Sequence, residues 1–272
     1  ILNKSFLRMI VHNFNPVFVD FGFFQIKWYS LAYIAGIILG WIYAIKIIKK
    51  SEINNYNYQS IKKSEFDDLI LYLIIGIILG GRIGYIIFYD FLYYSQNFLE
   101  IFKLWRGGMS FHGGLFGVIL ATLIFSSKTK SNFFKFSDII SCVAPIGIFL
   151  GRIANFINGE LYGKISTAPW AVIFPNVDSM PRHPSQLYEA ILEGVVLFII
   201  INYLALKKEL IYKTGFISAF FLIVYSFLRI FSELFREPDI QLGLLFNNFS
   251  MGTLLSLLTI IIGLFIAKSI KK

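Results

Sequence analysis

The sequence predicts an all-α membrane protein with about seven transmembrane helices. Of its 272 residues, 57% are hydrophobic and 15% are charged, and the mean hydropathy is +0.69. A soluble chain of this composition would expose more apolar surface than folded soluble proteins do. Apolar segments of about 20 residues, the length of a spanning helix, recur along the chain. Lysine-rich loops alternate between them, which is typical of polytopic membrane proteins.

Seven segments are apolar and long enough to cross a bilayer as helices. They lie at roughly 28–48, 66–90, 111–127, 137–157, 185–206, 214–235 and 250–267. No serial repeat or low-complexity stretch divides the chain, so residues 1–272 are predicted to form a single membrane domain. Small loops on the outer face, at about 91–110, 158–184 and 237–249, are expected to cap the functional site that is described below.

The clustered lysines predict the orientation in the membrane. They follow the first, third, fifth and seventh helices: Lys49, Lys50, Lys62, Lys63, Lys128, Lys130, Lys135, Lys207, Lys208, Lys213, Lys268, Lys271 and Lys272. An excess of Lys and Arg marks cytoplasmic loops, so we expect the N-terminus outside and the C-terminus in the cytoplasm. The N-terminal residues lack the pattern of a cleavable signal peptide, so the first helix is expected to remain as an anchor. Because these loops carry much of the net charge of +9, no nucleic-acid partner is predicted.

The arginines are distributed differently from the lysines. Outward halves of helices and outer loops contain Arg82, Arg106, Arg152, Arg182, Arg229 and Arg236. The planar guanidinium can hold a phosphate through two hydrogen bonds, which lysine cannot do. The distribution therefore predicts an anion site in the outer leaflet. The alternative is that each arginine only reaches toward water from near a helix end.

The stretch GRIANFINGELYG, which starts at residue 151, begins within a predicted apolar helix and continues beyond its end, and several of its residues are polar. On a helix, Arg152, Asn155 and Gly159 fall at i, i+3 and i+7, so two polar side chains share one face above a gap left by glycine. Glu160 follows directly. A cation within a membrane normally faces a cavity or a partner. This stretch is therefore predicted to form the rim of the anion site.

Three residues share one face of the predicted fifth helix, namely Gln186, Glu189 and Glu193. Carboxylates within a membrane require cations. Three arginines are predicted at a similar level: Arg82, Arg152 and Arg229. A structural ion-pair network is the favoured interpretation of these carboxylates.

The sixth helix ends with a second group of charges. Arg229 and Glu233 are four residues apart and are predicted to form a structural pair. Arg236, after them, is expected to be freer to bind a ligand.

His112 lies in KLWRGGMSFHGGLFG, residues 103–117, whose glycines predict a broken helical entry at membrane depth. Histidine is a common general base near neutral pH, and the alternative is a hydrogen-bonded structural residue. Tyr29, at the start of the first helix, either lines the site or belongs to an interfacial aromatic belt.

Neither a metal nor a cofactor is predicted. The histidines are only His12, His112 and His183, which are too few to suggest a metal site. Cys142 is the only cysteine and lies among apolar neighbours, so it is assigned to packing. The sequence contains no phosphate-binding glycine loop and no hydrolase nucleophile motif.

Five blocks of the sequence resemble bacterial prolipoprotein diacylglyceryl transferases. GGRIGY, GGMSFHGG, GRIANFINGELYG with PWAVIFP, RHPSQLYEAILEG and FREPDIQLG occur in the order of that family, over roughly residues 80–243. Ala154 replaces a glycine common in the third block. The resemblance implies transfer of the sn-1,2-diacylglyceryl group of phosphatidylglycerol to the lipobox cysteine thiol of a preprolipoprotein, with a thioether formed and glycerol phosphate released. It implies a multi-pass protein of the bacterial inner (cytoplasmic) membrane that acts on membrane lipid and on preprolipoprotein signal peptides.

The resemblance and the residue chemistry together suggest roles for seven residues. Arg152 and Arg236 are assigned to the phosphate, Asn155 and Glu160 to orienting the head group or Arg152, and His112 to deprotonating the thiol. Tyr29 and Gly163 complete the predicted substrate-binding set, Gly163 through a backbone requirement. The protein is expected to be a monomer. Two alternatives remain, a lipid flippase, which would need a polar path through the inner half of the membrane, and a structural scaffold.

Overall fold

The computed structural model of the protein describes residues 10–23, 25–53, 61–104, 107–238 and 249–270. Within these residues, seven helices are long and apolar enough to cross a membrane. They are α1 Trp28–Ile53, α2 Lys63–Tyr89, α4 Phe111–Lys128, α5 Phe133–Asn158, α6 Ser185–Lys207, α7 Phe216–Glu233 and α8 Met251–Ile270. A short helix, α3, spans Phe91–Gln96. The prediction of a mostly helical, multi-pass membrane protein is confirmed.

Two of the long helices begin earlier than the hydropathy pattern predicts. The side chain of Asn132 accepts a hydrogen bond of 2.8 Å from the main chain of Phe134 at the start of α5. At the start of α2, the Glu65 side chain accepts one of 2.9 Å from the main chain of Lys62. Polar capping residues such as these satisfy main-chain groups at helix ends but interrupt the apolar pattern.

The described residues form two compact units, one lying within 1–44 and 138–272 and the other within 45–137. In the second unit, α2 and α4 pack through glycines spaced four residues apart. A Cβ on Gly117 would lie 1.9 Å from the carbonyl oxygen of Gly76, and one on Gly113 would lie 2.2 Å from that of Gly80. Small residues at this spacing allow membrane helices to approach closely.

These contacts correct the prediction for residues 103–117. The broken entry was expected around His112, but α4 is helical from Phe111 onward, and Ser110 caps it by accepting a hydrogen bond from the main chain of Gly113. The irregular backbone lies earlier, at Gly107 and Gly108, where φ is +84° and +80°. The glycines after His112 therefore serve helix packing.

In the first unit, the helices are joined by polar contacts within their apolar surfaces. Pro145 lies inside α5 and cannot donate a main-chain hydrogen bond. Near it, Asn202 of α6 donates to the carbonyl oxygen of Cys142 at 3.0 Å and accepts from Tyr43 of α1 at 3.1 Å. Ser226 of α7 and Thr259 of α8 share a further hydrogen bond.

The segment between α5 and α6 contains two short strands. β4 (Val172–Ile173) pairs in parallel with β1 (Ile10–Val11) and antiparallel with β5 (Pro181–Arg182). A separate hairpin is formed by β2 (Val17–Asp20) and β3 (Gln25–Lys27).

Helix α6 contains two π-helical segments, Ala190–Val196 and Tyr203–Lys207. It begins at Ser185, directly after Pro184. Hydropathy does not distinguish a π-helical turn from an α-helical one, so neither segment was predicted. The first of them contains Glu193, and π-helical turns are frequent at functional sites.

Candidate active site

Arg152 lies near the end of α5 and is held by two carboxylates of α6. Its Nη1 is 2.8 Å from Oε2 of Glu189, and its Nη2 is 3.0 Å from Oε2 of Glu193. Both glutamate side chains are fully buried. Arg152 therefore has specific partners in the protein interior, which the alternative of reaching toward water does not predict.

Arg229 of α7 faces the same two carboxylates. Its Nη1 is 2.6 Å from Oε1 of Glu189 and 3.2 Å from Oε1 of Glu193. Its Nη2 is 2.7 Å from Oε2 of Glu233, so the predicted pair within α7 is confirmed. Ser232 adds a hydrogen bond of 3.1 Å to Oε1 of Glu193.

Arg236, which was expected to be freer to bind a ligand than the Arg229–Glu233 pair, is also ion-paired. Its Nη1 lies 3.2 Å from Oε1 of Glu189, and its side chain is only 8% exposed. A turn follows α7 at residues 234–235, so Arg236 reaches the Glu189 carboxylate from beyond the helix end. Helical periodicity could not show this contact.

We call these six residues the arginine–glutamate cluster: Arg152, Arg229, Arg236, Glu189, Glu193 and Glu233. Its formal charges cancel. Buried ions lose their hydration and are tolerated only when they are paired and hydrogen-bonded. The predicted ion-pair network is therefore present, with Arg236 in place of Arg82.

Arg82 has a different environment in the second unit. Its guanidinium donates to main-chain carbonyl oxygens of the segment before α4, those of Glu100 at 2.6 Å, Ile101 at 2.8 Å and Gly108 at 3.1 Å. The ring of Tyr94 lies against the guanidinium, 4.9 Å away. Arg82 thus holds the main chain of the segment before α4 through hydrogen bonds, whereas the sequence analysis predicted ion pairs for it.

The polar residues after Arg152 form a compact turn. Asn155 donates to Oε1 of Glu160 at 2.7 Å, and Asn158 donates to the same oxygen at 3.2 Å. Tyr29 of α1 interacts electrostatically with both Glu160 and Arg152, and its hydroxyl lies 3.3 Å from that of Tyr33. The structure therefore brings together Tyr29, Arg152, Asn155 and Glu160.

Gly163 meets the segment that carries Arg236. The two residues form a β-bridge, and the main-chain nitrogen of Gly163 donates to the His183 carbonyl oxygen at 2.9 Å. A Cβ on Gly163 would lie 2.5 Å from that oxygen and 2.6 Å from the Phe235 carbonyl oxygen. This close approach explains why glycine is required there.

Arg182, another arginine of the predicted anion site, also has acidic partners. It pairs with Asp178 at 2.6 Å and with Glu237 at 3.3 Å, and it donates to the Gly163 carbonyl oxygen at 3.1 Å. Hydrogen bonding from Arg182 lowers the pKa of the Asp178 carboxyl. Arg182 therefore joins three chain segments beside Gly163.

The three histidines occupy separate environments. His112 lies in the first turn of α4 in the second unit, with its ring edge-on to Phe111. His183 contacts the Tyr188 hydroxyl at 3.1 Å, and burial lowers the pKa of its imidazole. His12 is buried, and its Nε2 lies 2.7 Å from the Phe156 carbonyl oxygen. This last contact could not be predicted from the sequence, because it joins segments that are far apart along the chain.

The fold and the cluster define a multi-pass membrane protein with an ionic site among its helices. The profile of the family described as prolipoprotein diacylglyceryl transferase matches residues 16–268. The chain is 49% identical to the phosphatidylglycerol–prolipoprotein diacylglyceryl transferases of Rickettsia typhi and Rickettsia felis, over 94% of its own length and 96% of theirs. The corresponding Rickettsia bellii protein is 48% identical over 95% of this chain and 96% of its own.

The chain therefore belongs to the prolipoprotein diacylglyceryl transferase family. The resemblance inferred from its five sequence blocks is confirmed, and so is the prediction of a transferase. Family membership favours an enzyme over the flippase and the scaffold that were considered as alternatives.

Proposed function

We propose that this protein transfers the sn-1,2-diacylglyceryl group of phosphatidylglycerol to the lipobox cysteine thiol of preprolipoproteins. A carbon–oxygen bond to the phosphate breaks, a carbon–sulfur bond forms, the thiol proton passes to a base, and glycerol phosphate leaves with the electron pair. This is the first step of bacterial lipoprotein maturation. Identity to named transferases along nearly the whole chain is the observation that carries the proposal.

Arg152 and Arg236 are proposed to stabilise the departing phosphate. A guanidinium has five N–H groups, so the ion pairs of Arg152 at two nitrogens do not exhaust its donors. The carboxylates fix the arginines in place before substrate binds, and positioned charges stabilise developing charge without reorganisation.

The roles proposed for Glu160, Tyr29 and Gly163 follow from contacts in the first unit, whereas the role of His112 follows from its chemistry. Glu160, held by Asn155, is proposed to orient the glycerol head group. Tyr29 lines the same site, and Gly163 positions the segment of Arg236. His112 is proposed as the base that deprotonates the substrate thiol, since histidine titrates near neutral pH.

We also propose the membrane arrangement given by the lysine clusters. The N-terminus lies outside and the C-terminus in the cytoplasm of a bacterial inner membrane. Residues 1–272 act as one monomeric membrane domain whose outer loops, at about 91–110, 158–184 and 237–249, cap the site. Residues 105–106 and 239–248 of these loops lie outside the described residues.

A reconstituted assay tests the function directly. Purified protein in phosphatidylglycerol vesicles is mixed with a synthetic lipobox peptide, and both peptide mass and released glycerol phosphate are measured. We expect a mass increase of one diacylglyceryl group and an equal amount of glycerol phosphate. A peptide with serine in place of cysteine and vesicles of phosphatidylethanolamine are the controls. Movement of labelled lipid between leaflets without any thioether would favour a flippase and contradict the proposal.

A further inference from the structure

The turn that carries Glu160 has an unusual backbone. Gly159 has φ of +69° and Leu161 has φ of +58°, so a left-handed residue lies on each side of Glu160. Glycine adopts this conformation readily, but a leucine in it is strained by its Cβ. Such a turn needs surrounding contacts to hold it.

Two side chains at the start of α6 supply those contacts. Gln186 Nε2 donates to the Glu160 carbonyl oxygen at 2.6 Å, and Ser185 Oγ donates to the Leu161 carbonyl oxygen at 2.8 Å. Both side chains are fully buried. Adjacent residues of one helix therefore hold adjacent carbonyl groups of the turn.

The amide oxygen of Gln186 shows which part of this side chain matters. Its Oε1 is buried and has no hydrogen-bond partner among the described residues. A buried acceptor without a partner is unfavourable, and an apolar side chain of similar size would avoid that cost. Packing alone would therefore favour methionine over glutamine at this position. What glutamine adds is the Nε2 donor that holds the Glu160 carbonyl oxygen.

Gln186 also connects the two halves of the candidate site. It precedes Glu189 by three residues, so one face of α6 holds the Glu160 turn and, through Glu189, Arg152. The distance between Glu160, proposed to bind the head group, and Arg152, proposed to bind the phosphate, is thus set by a single helix.

We propose that Gln186 is a positioning residue for diacylglyceryl transfer, with Ser185 in support. Its amide fixes the main chain at Glu160 so that the carboxylate meets Asn155 in the geometry that the reaction uses. This inference rests on the proposed function and on the role that it gives Glu160.

A double-mutant cycle tests the inference. Turnover and KM for phosphatidylglycerol are measured for Gln186→Met, Glu160→Gln and the double variant, together with thermal unfolding in detergent. We expect Gln186→Met to lower kcat at least tenfold, and the double variant to be within about twofold of Glu160→Gln alone, because residues that act through one another are non-additive.

Asn202→Leu is the matched control for a structural effect. Asn202 is also a buried amide of α6 that donates to a carbonyl oxygen of α5, at Cys142. We expect Asn202→Leu to lower the unfolding temperature more than Gln186→Met does, while its kcat stays within about twofold of that of the unaltered protein. Ser185→Thr, which keeps the hydroxyl, should be faster than Ser185→Ala.

The outcomes separate the inference from the proposed function. If Glu160→Gln is slow but Gln186→Met is as fast as the unaltered protein, or if their losses multiply, the inference alone fails. If Glu160→Gln is fully active, the role proposed for Glu160 fails as well. Should Gln186→Met not fold, Gln186→Leu provides the same test, because leucine is also apolar and removes the amide donor.

Discussion

Arg152 of α5 and Glu189 of α6 form an ion pair of 2.8 Å inside the protein. The other oxygen of Glu189 lies 2.6 Å from Arg229 and 3.2 Å from Arg236. One carboxylate therefore contacts all three arginines of the cluster. It both holds their guanidinium groups in place and offsets their charge.

Replacing Glu189 should destabilise the fold strongly. Glu189→Gln leaves three guanidinium groups, two of them buried and that of Arg152 largely so, with two carboxylates, and loss of one partner from a buried ion pair costs about 3–5 kcal/mol. We expect a large fall in the thermal unfolding temperature in detergent. Asp20→Asn, in the exposed β2–β3 hairpin, is the control and should unfold as the unaltered protein does. Equal unfolding temperatures for the two variants would contradict the structural importance of Glu189.

Arg152→Lys should lose at least tenfold in turnover, and Arg152→Ala should lose more. Lysine keeps the charge but cannot hold Glu189, Glu193 and a phosphate oxygen with one planar group. A charge-assisted hydrogen bond contributes about 1.5–3 kcal/mol, which is roughly ten- to more than a hundredfold in rate if it forms in the transition state. Turnover is compared at equal amounts of folded protein.

The control for Arg152 is Arg106→Lys, at a residue outside those that the structure describes, which we expect to change turnover little. A fully active Arg152→Lys would remove Arg152 from phosphate binding. The proposed role would then rest on Arg236.

His112→Gln should slow turnover far more than it weakens binding of phosphatidylglycerol. If deprotonation of the thiol is the missing step, raising the pH should partly restore the rate, because the thiolate is the nucleophile. Rates are measured from pH 6 to 9, roughly the range over which histidines and thiols titrate. His183→Gln is the control and should keep its normal pH profile. Near-normal turnover of His112→Gln at neutral pH would leave His112 with a structural role.

Single cysteines test the orientation. Placed at Ser131 and Ser269 they should resist a membrane-impermeant thiol reagent in intact cells, whereas one at Ser179 should react. Ser51, whose side chain lies outside the described part of the chain, is expected to behave as Ser131 does. The native thiol of Cys142 is buried, so its background reaction should be low. Reaction at Ser131 from outside the cell would reverse the proposed orientation.

The sequence was sufficient to locate the seven long helices, because apolar length alone selects them. It did not predict how α2 and α4 meet, since the glycines around His112 were interpreted as a break in the helical entry and not as points of contact between these two helices. The π-helical segments of α6 also went unpredicted, because the same apolar residues suit either kind of helix.

In the site, helical spacing correctly grouped Glu189 with Glu193 and paired Arg229 with Glu233. The sequence did not predict the partners of Arg82, which are main-chain carbonyl groups before α4, or that of Arg236, which lies beyond the end of α7 and pairs with Glu189. The hold of Gln186 on Glu160 joins two segments that are separate in the sequence, so only three-dimensional structure could reveal it.

The charge balance of the arginine–glutamate cluster bears on how the reaction product leaves. Glycerol phosphate is a phosphomonoester and carries up to one more negative charge near neutral pH than the phosphodiester of the lipid. Three unpaired arginines would retain that extra charge strongly, whereas arginines already matched by carboxylates attract it less. We therefore expect weak product inhibition, so that each turnover frees the site for the next lipid.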